Sequence, residues 1–358
     1  MDEIVRRARE GVSLGATEIC VQAGLPPNMH PDLYTDVASA LKEAVPEIHL
    51  HAFSPEEVIY GAKRSKRSIK DMLTALKDAG VDTLPGTSAE ILDDSIRKQI
   101  AGQRLSSSEW VEVIETAHSL GLKTSSTMMY GHVETPYHVA RHLETLREVQ
   151  ERTGGFTEFV PLSFVSREAP MYREGKIGGM RGGPSGAEVM VTHAVARLFL
   201  AGSIDNLQVS WPKEGLRFAQ ILLQNGANDL GGTLMNESIS TAAGAVHGQL
   251  AKPNELRSTI EEIGRKPYQR TTTYGHVSSN SQNIIGSPKL SEHVSTAEHV
   301  STALEDDGHV SSATDEVTEH VPSLDEVGTG RFGSFHELIA DKSRWRAKGV
   351  IKQPKGVS

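Results

Sequence analysis

Residues 48–57, IHLHAFSPEE, join a short run of strand-type spacing directly to a helix start. Ser54 stands at the cap position, Pro55 at the first helical position and Glu57 three residues after the cap. This pattern satisfies the orphan amides of a helix N-terminus from both sides. A strand feeding straight into a capped helix is one βα unit, and the unit recurs in both directions along the chain. Upstream, residues 17–22 (TEICVQ) read as a strand that ends at Gly24-Leu25-Pro26-Pro27, followed by a helix from Pro31 with Leu33, Val37 and Leu41 at four-residue spacing. Before it, Ile4, Val5, Ala8 and Val12 share one helical face over residues 2–14, and Gly15 is the stop. Downstream, strands are expected at residues 81–84, 123–129, 156–162, 206–211 and 227–230, each ahead of a helical pattern. Alternation of this kind predicts a parallel (β/α) barrel of the TIM type. Seven strands leave an eight-strand closure one short. Because the chain opens with a helix, the missing first strand is expected upstream of Met1.

The 358 residues carry 37% hydrophobic and 23% charged side chains, and no apolar run approaches the length that spans a bilayer. The opening MDEIVRRARE has no secretory pattern, so a cytoplasmic protein is expected. One cysteine, Cys20, excludes an internal disulfide framework and any CxxC knuckle. The net charge of −9 is concentrated in residues 274–330, where ten acids face a single base, Lys289. The remainder is neutral and lacks the clustered basic face that nucleic-acid binding requires. The same stretch is rich in Ser and Thr and repeats His-Val-Ser or His-Val-Pro irregularly, at His276, His293, His299, His309 and His320. It reads as a disordered acidic linker, although its five histidines leave loose metal binding open. Residues 331–345 regain helical spacing at Phe335, Leu338 and Ile339. The expected organisation is therefore a barrel over 1–273, a linker over 274–330, and a C-terminal helix and tail over 331–358.

Barrel enzymes place chemistry where strands end and βα loops begin. The residues at those exits are Gln22 and Gly24; His51 and Ser54; Thr87 and Glu90; Met128, Tyr130, His132 and Glu134; Ser163; Ser210; and Asp229, Thr233 and Glu237. Each has a competing reading as a loop or helix cap. Thr135-Pro136 and Ser185 with Glu188 read as helix starts alone. The loop over residues 130–134 holds more titratable groups than capping needs. Gly178-Gly179 and Gly182-Gly183 do not follow a strand, which argues against a phosphate cradle. His49 and His51 lie on one side of their strand, the HxH spacing that metal-dependent barrel hydrolases use, but on the third strand instead of the first.

Several longer phrases occur in order: GATEICVQAGLPP (15–27), HAFSPEEV (51–58), DTLPGTSAEIL (82–92), TMMYGHVET (127–135), GGFTEFVPLSF (154–164) and GANDLGGTLMNESIS (226–240). Together they resemble subunit 2 of the Fo synthases, a radical SAM family related to the menaquinone-pathway aminofutalosine synthases. The resemblance implies a barrel in which a [4Fe-4S] cluster and S-adenosylmethionine (SAM) generate a 5′-deoxyadenosyl radical. The 4-hydroxybenzyl group of L-tyrosine is then joined to 5-amino-6-(D-ribitylamino)uracil in deazaflavin (coenzyme F-420) biosynthesis, with Fo synthase subunit 1 as the candidate companion. It also implies that Gln22, Gly24 and Glu90 hold SAM, and that His51, Met128, Tyr130, His132, Glu134, Asp229, Thr233 and Glu237 face the substrates.

The family's CxxxCxxC loop, expected after the first strand, is absent from this sequence, so no metal ligands are assigned. Cys20 lies within a strand and one thiolate cannot stand for three. Three readings stay open: a radical SAM transferase, a metal-dependent barrel hydrolase using His49 and His51, and a catalytically silent barrel that binds ligands or a partner.

Overall fold

A computed structural model describes residues 1–102, 104–235 and 237–277, and the backbone of 284–285. The order begins α1 (Asp2–Ser13), β1 (Glu18–Val21), α2 (Leu33–Ala44), β2 (His49–Ala52), α3 (Pro55–Ser65), α4 (Ile69–Asp78) and β3 (Thr83–Leu84). It continues through α5 (Asp94–Ala101), α6 (Ser107–Ser119), β4 (Lys123–Tyr130), α7 (Pro136–Thr153), β5 (Phe156–Ser163), α8 (Pro170–Arg173) and α9 (Gly186–Leu200). The remaining elements are α10 (Trp211–Glu214), α11 (Leu216–Gln224), α12 (Ile239–Ala242), α13 (Pro253–Glu261) and the small pair β6 (His276–Val277) and β7 (Ile284–Ile285).

The starts of α3, α6 and α9 are full capping boxes, Ser54/Glu57, Ser106/Glu109 and Ser185/Glu188. Each satisfies a helix N-terminus locally, which is why these boundaries were readable from residue order. Apolar faces then close on the sheet: Leu50, Phe53, Leu73, Leu84, Trp110 and Phe159 are completely buried. Among the described residues no helix is long and apolar enough to cross a membrane.

β1 to β5 form one parallel sheet in sequence order, with Cys20 beside His51, His51 beside Thr83 and Tyr130 beside Ser163. The expected sixth and seventh strands shrink to single parallel bridges, Phe159 with Leu207 and Gln208 with Asp229. Backbone bonds hold each bridge, among them Gln208 N to Phe159 O (3.0 Å) and Val209 N to Asp229 O (2.8 Å), and side chains take the backbone groups beside them. The Arg197 guanidinium donates to the carbonyls of Gly226 (2.5 Å) and Asp205 (2.6 Å), and Asn228 Oδ1 accepts from Leu207 N at 2.8 Å. Trp211-Pro212 then opens α10, so the strand expected over 206–211 stops short of Trp211.

Between the seventh position and β1 the circle is spanned by residues 270–274 in place of a strand. The guanidinium of Arg270 pairs with Asp229, and Thr272 Oγ1 donates to Glu18 Oε2 at 2.5 Å. Tyr274, expected to begin the acidic stretch, donates its hydroxyl to Glu158 at 2.5 Å. Apart from 274–277 and 284–285, where β6 pairs antiparallel with β7, the expected linker and C-terminal helix lie outside the described residues.

Candidate functional site at the barrel mouth

Glu57 caps α3 and also props the neighbouring loop. One carboxylate oxygen accepts from the Ser54 amide and hydroxyl, each at 2.7 Å, while the other accepts from Gly24 N at 2.7 Å. The hydroxyls of Tyr34 and Tyr60 donate to the carbonyls of Gly24 and Pro26, both at 2.5 Å. The loop after β1 is thus held from three sides, with Gln22 and Gly24 exposed upon it. Cys20, one pleat below Gln22, is surrounded by protein yet open to water, as a residue lining the barrel interior must be. Burial, helped by Glu18, pushes its thiol up to about 12.

His49 Nε2 and His51 Nδ1 both lie 2.7 Å from the single hydroxyl of Thr83. That hydroxyl has one proton, so it donates to one ring and accepts from the other. Burial lowers both histidines below their usual range. Among the described residues no group of three metal-ligating side chains exists, and this pair is organised around a threonine.

Glu90, at the β3 exit, adopts a left-handed backbone. The conformation is enforced from below, where Arg97 donates to the carbonyls of Ser88 (3.0 Å), Ala89 and Leu105 (2.9 Å). Arg104 bridges Glu90, Glu56 and the Ser88 hydroxyl, each at 3.0 Å.

Four expected residues do not line the mouth, and the reason is the same for each: their polar or apolar surface is already used by the framework. Met128 is completely buried in the hydrophobic core. Tyr130 is 2% exposed and shares Ser163 with Glu214, and burial pushes its phenol well above its usual range. His132 is completely buried, its Nε2 directed at Met129 O (2.9 Å) and its Nδ1 accepting from Val133 N (2.8 Å). Glu134 accepts from the amides of Gly131 (2.7 Å) and His132 (2.8 Å) and pairs with Arg181 at 2.6 Å. The dense titratable loop of residues 130–134 is a self-braced turn.

Two clusters are legible in the sequence only in part, through Thr233, Glu237 and Asp229. At the mouth, Lys213 Nζ donates to Ser240 Oγ at 2.8 Å, and Glu237 accepts from Ser240 N at 3.0 Å. Thr233 is half-buried on the same loop. Inside the barrel, Arg270 and Tyr274 meet Glu158 and Asp229, with Gln208 donating to Glu158 at 2.7 Å. Asp229 therefore faces the interior but is committed to Arg270 and, at 2.5 Å, to Gly231 N. The only cue for Lys213 was its place just past the Ser210 exit. Nothing in local spacing pointed to Arg270.

The radical SAM superfamily profile matches residues 1–146, and the profile of the CofH/MqnC C-terminal region matches 153–283. The 5-amino-6-(D-ribitylamino)uracil–L-tyrosine 4-hydroxyphenyl transferase of Methanothermobacter thermautotrophicus is 47% identical over 276 residues, covering 77% of this chain and 74% of that one. The chain belongs to the FO synthase family of radical SAM proteins. The transferase of Methanopyrus kandleri is 48% identical over 273 residues. The FO synthase of Nocardia farcinica is 50% identical over 284 residues, 79% of this chain but 32% of that protein, so the chain spans about a third of its length. The crystal structure of methylornithine synthase (PylB) shares the fold at a TM-score of 0.55 and 14% identity, covering 75% of this chain and 74% of that one.

Membership implies SAM and a [4Fe-4S] cluster. A cluster that keeps one iron open for SAM takes its other three ligands from thiolates, and this sequence offers one cysteine, whose thiol is held in its protonated form by its surroundings. The residues present do not fit the cluster.

Proposed function

We propose that the chain forms the substrate-binding barrel of a transferase that joins the 4-hydroxybenzyl group of L-tyrosine to 5-amino-6-(D-ribitylamino)uracil in deazaflavin biosynthesis, acting in the cytoplasm. The observation that carries this reading is the 47% identity over 276 residues with the Methanothermobacter transferase. It is supported by a polar, water-accessible barrel interior braced by a second layer of buried ion pairs.

In this reading Gln22, Gly24 and Glu90 bind SAM, while His51, Thr233 and Glu237 meet tyrosine or the uracil. Met128, Tyr130, His132 and Glu134 shape the mouth from behind, and Asp229 positions the residue 270–274 segment. The barrel's contribution is orientation of two reactants and exclusion of water from reactive intermediates. The length of the Nocardia FO synthase supports Fo synthase subunit 1 as a companion. Nothing in the His49/His51 geometry favours a metal-dependent hydrolase.

Equilibrium binding of L-tyrosine and the ribitylamino-uracil to this chain is the first test. Both bind if the reading is right, and failure of either sinks it. Anaerobic reconstitution with iron and sulfide is the second. The chain as given yields neither cluster absorbance nor 5′-deoxyadenosine from SAM. Joining an upstream CxxxCxxC segment restores both and yields the coupled product.

A further inference from the structure

Lys213 stands where three strand exits converge. It belongs to α10, immediately past the sixth strand position; Ser240 and Glu237 come from the loop after the seventh; and Glu90, from the β3 exit, acts on it electrostatically from across the mouth. Protein surrounds the ammonium, yet the residue keeps part of its surface open to water. Burial disfavours its charge, and Glu237, Glu214 and Glu90 restore it only from a distance. Among the described residues its one hydrogen bond goes to the Ser240 hydroxyl at 2.8 Å, and it forms no ion pair. A lysine ammonium has three donors. Two of them remain without a partner among the described residues, in a place where water is scarce and a charge-assisted bond is strong. On the other side of Ser240, the Glu237 carboxylate accepts the Ser240 amide at 3.0 and 3.3 Å. A cation and an anion therefore flank one serine without touching each other.

We propose that Lys213 is the anchor for the carboxylate of an α-amino-acid group at the barrel mouth, with Glu237 facing the α-ammonium. A zwitterionic α-amino acid presents this pair of charges a few bonds apart, and it would complete both. The inference deepens the transferase reading and rests on it for the ligand's identity, because two of the expected reactants carry the group: L-tyrosine, and SAM through its methionyl part. Lys213 is a binding residue here and takes no part in bond cleavage.

The experiment is equilibrium binding to the full chain of two matched pairs: L-tyrosine against tyramine, and SAM against decarboxylated SAM. Wild type, Lys213→Met and Lys213→Arg are compared, with thermal melts as a check on folding. The proposal expects wild type to prefer the carboxylate-bearing member of one pair by about tenfold or more, the scale of one charge-assisted bond. Lys213→Met abolishes that preference by weakening the carboxylate-bearing ligand alone, and Lys213→Arg retains most of it. The pair that responds names the source. A Lys213-dependent preference for SAM with no binding of tyrosine upholds the subsite and removes the transferase reading. A tyrosine preference that survives Lys213→Met upholds the transferase and overturns the subsite. Equal weakening of both members of a pair, or no carboxylate preference in wild type for either pair, also overturns it.

Discussion

Glu158 is the side chain whose surroundings are most at odds with its charge. It faces the barrel interior beside Asp229 and Glu18, relieved by Arg270 at 3.6 Å and by hydrogen bonds from Tyr274 (2.5 Å) and Gln208 (2.7 Å). Burial outweighs this relief and pushes the carboxyl up to about 7. A carboxyl raised in the folded state holds its proton between about 4.5 and 7 while the unfolded chain has released it. Its contribution to stability therefore falls as pH rises through that window. The histidines His49 and His51, lowered by burial, act in the opposite sense, so the comparison must be with a variant. Glu158→Gln should melt progressively higher relative to wild type as pH is raised from 5 to 7. Parallel melting curves across that range would show that the carboxyl is ionised throughout. At the same level of detail, His132 and Glu134 show how sequence inference strays: a cluster of titratable residues in a loop can bind its own backbone as readily as a ligand.

The helix starts were legible because a capping box is local. Ser54 and Glu57 are three residues apart and need only each other. Sequence could not show that Glu57 also carries Gly24, 33 residues away. Ser54→Ala should cost about 1 kcal/mol, the usual worth of an N-cap. Glu57→Ala should cost more, because it strands the Gly24 amide as well as the Ser54 donors. Urea unfolding of the two variants side by side checks the order. The β3 exit supplies a sharper case. A Cβ on Gly86 would lie 2.1 Å from Ser125 O and 2.8 Å from its carbon, both backbone atoms that cannot swing aside. Gly86→Ala should destabilise by about 3 kcal/mol, the upper end of overpacking costs. A loss below 1 kcal/mol in urea would mean that β3 and β4 are free to separate. The sixth and seventh strands are shorter than their strand-like apolar spacing suggests, because Arg197 and Asn228 take the Gly226 and Asp205 carbonyls and the Leu207 amide beside the bridges.

Closure of the barrel depends on contacts between opposite ends of the described chain. Thr272 reaches Glu18 across 254 residues, and Arg270 joins Asp229 and Glu158 in the interior. Arg270→Met leaves the buried Asp229 carboxylate without its cation, and removing one partner of a buried pair typically costs about 3–5 kcal/mol. Unfolding in urea should show a loss of this size, with part of it recovered when Asp229→Asn is added. A loss near zero would mean that residues 270–274 merely rest on the barrel.

The order of strands and helices, the helix caps and the family could all be read from residue order, because each depends on groups a few positions apart or on phrases that stand unbroken in the chain. Which side chains meet at the mouth could not be read that way. Alternation along β4 placed Met128 and Tyr130 at an exit without telling which face of the sheet they would serve, and both went to the core. Lys213 and Ser240 lie 27 residues apart, and Arg270 and Asp229 lie 41 apart, with no periodicity linking either pair. Only packing the helices around the sheet brings those charges together, since burial makes an unpaired charge too costly to leave and so selects its partner from anywhere in the chain.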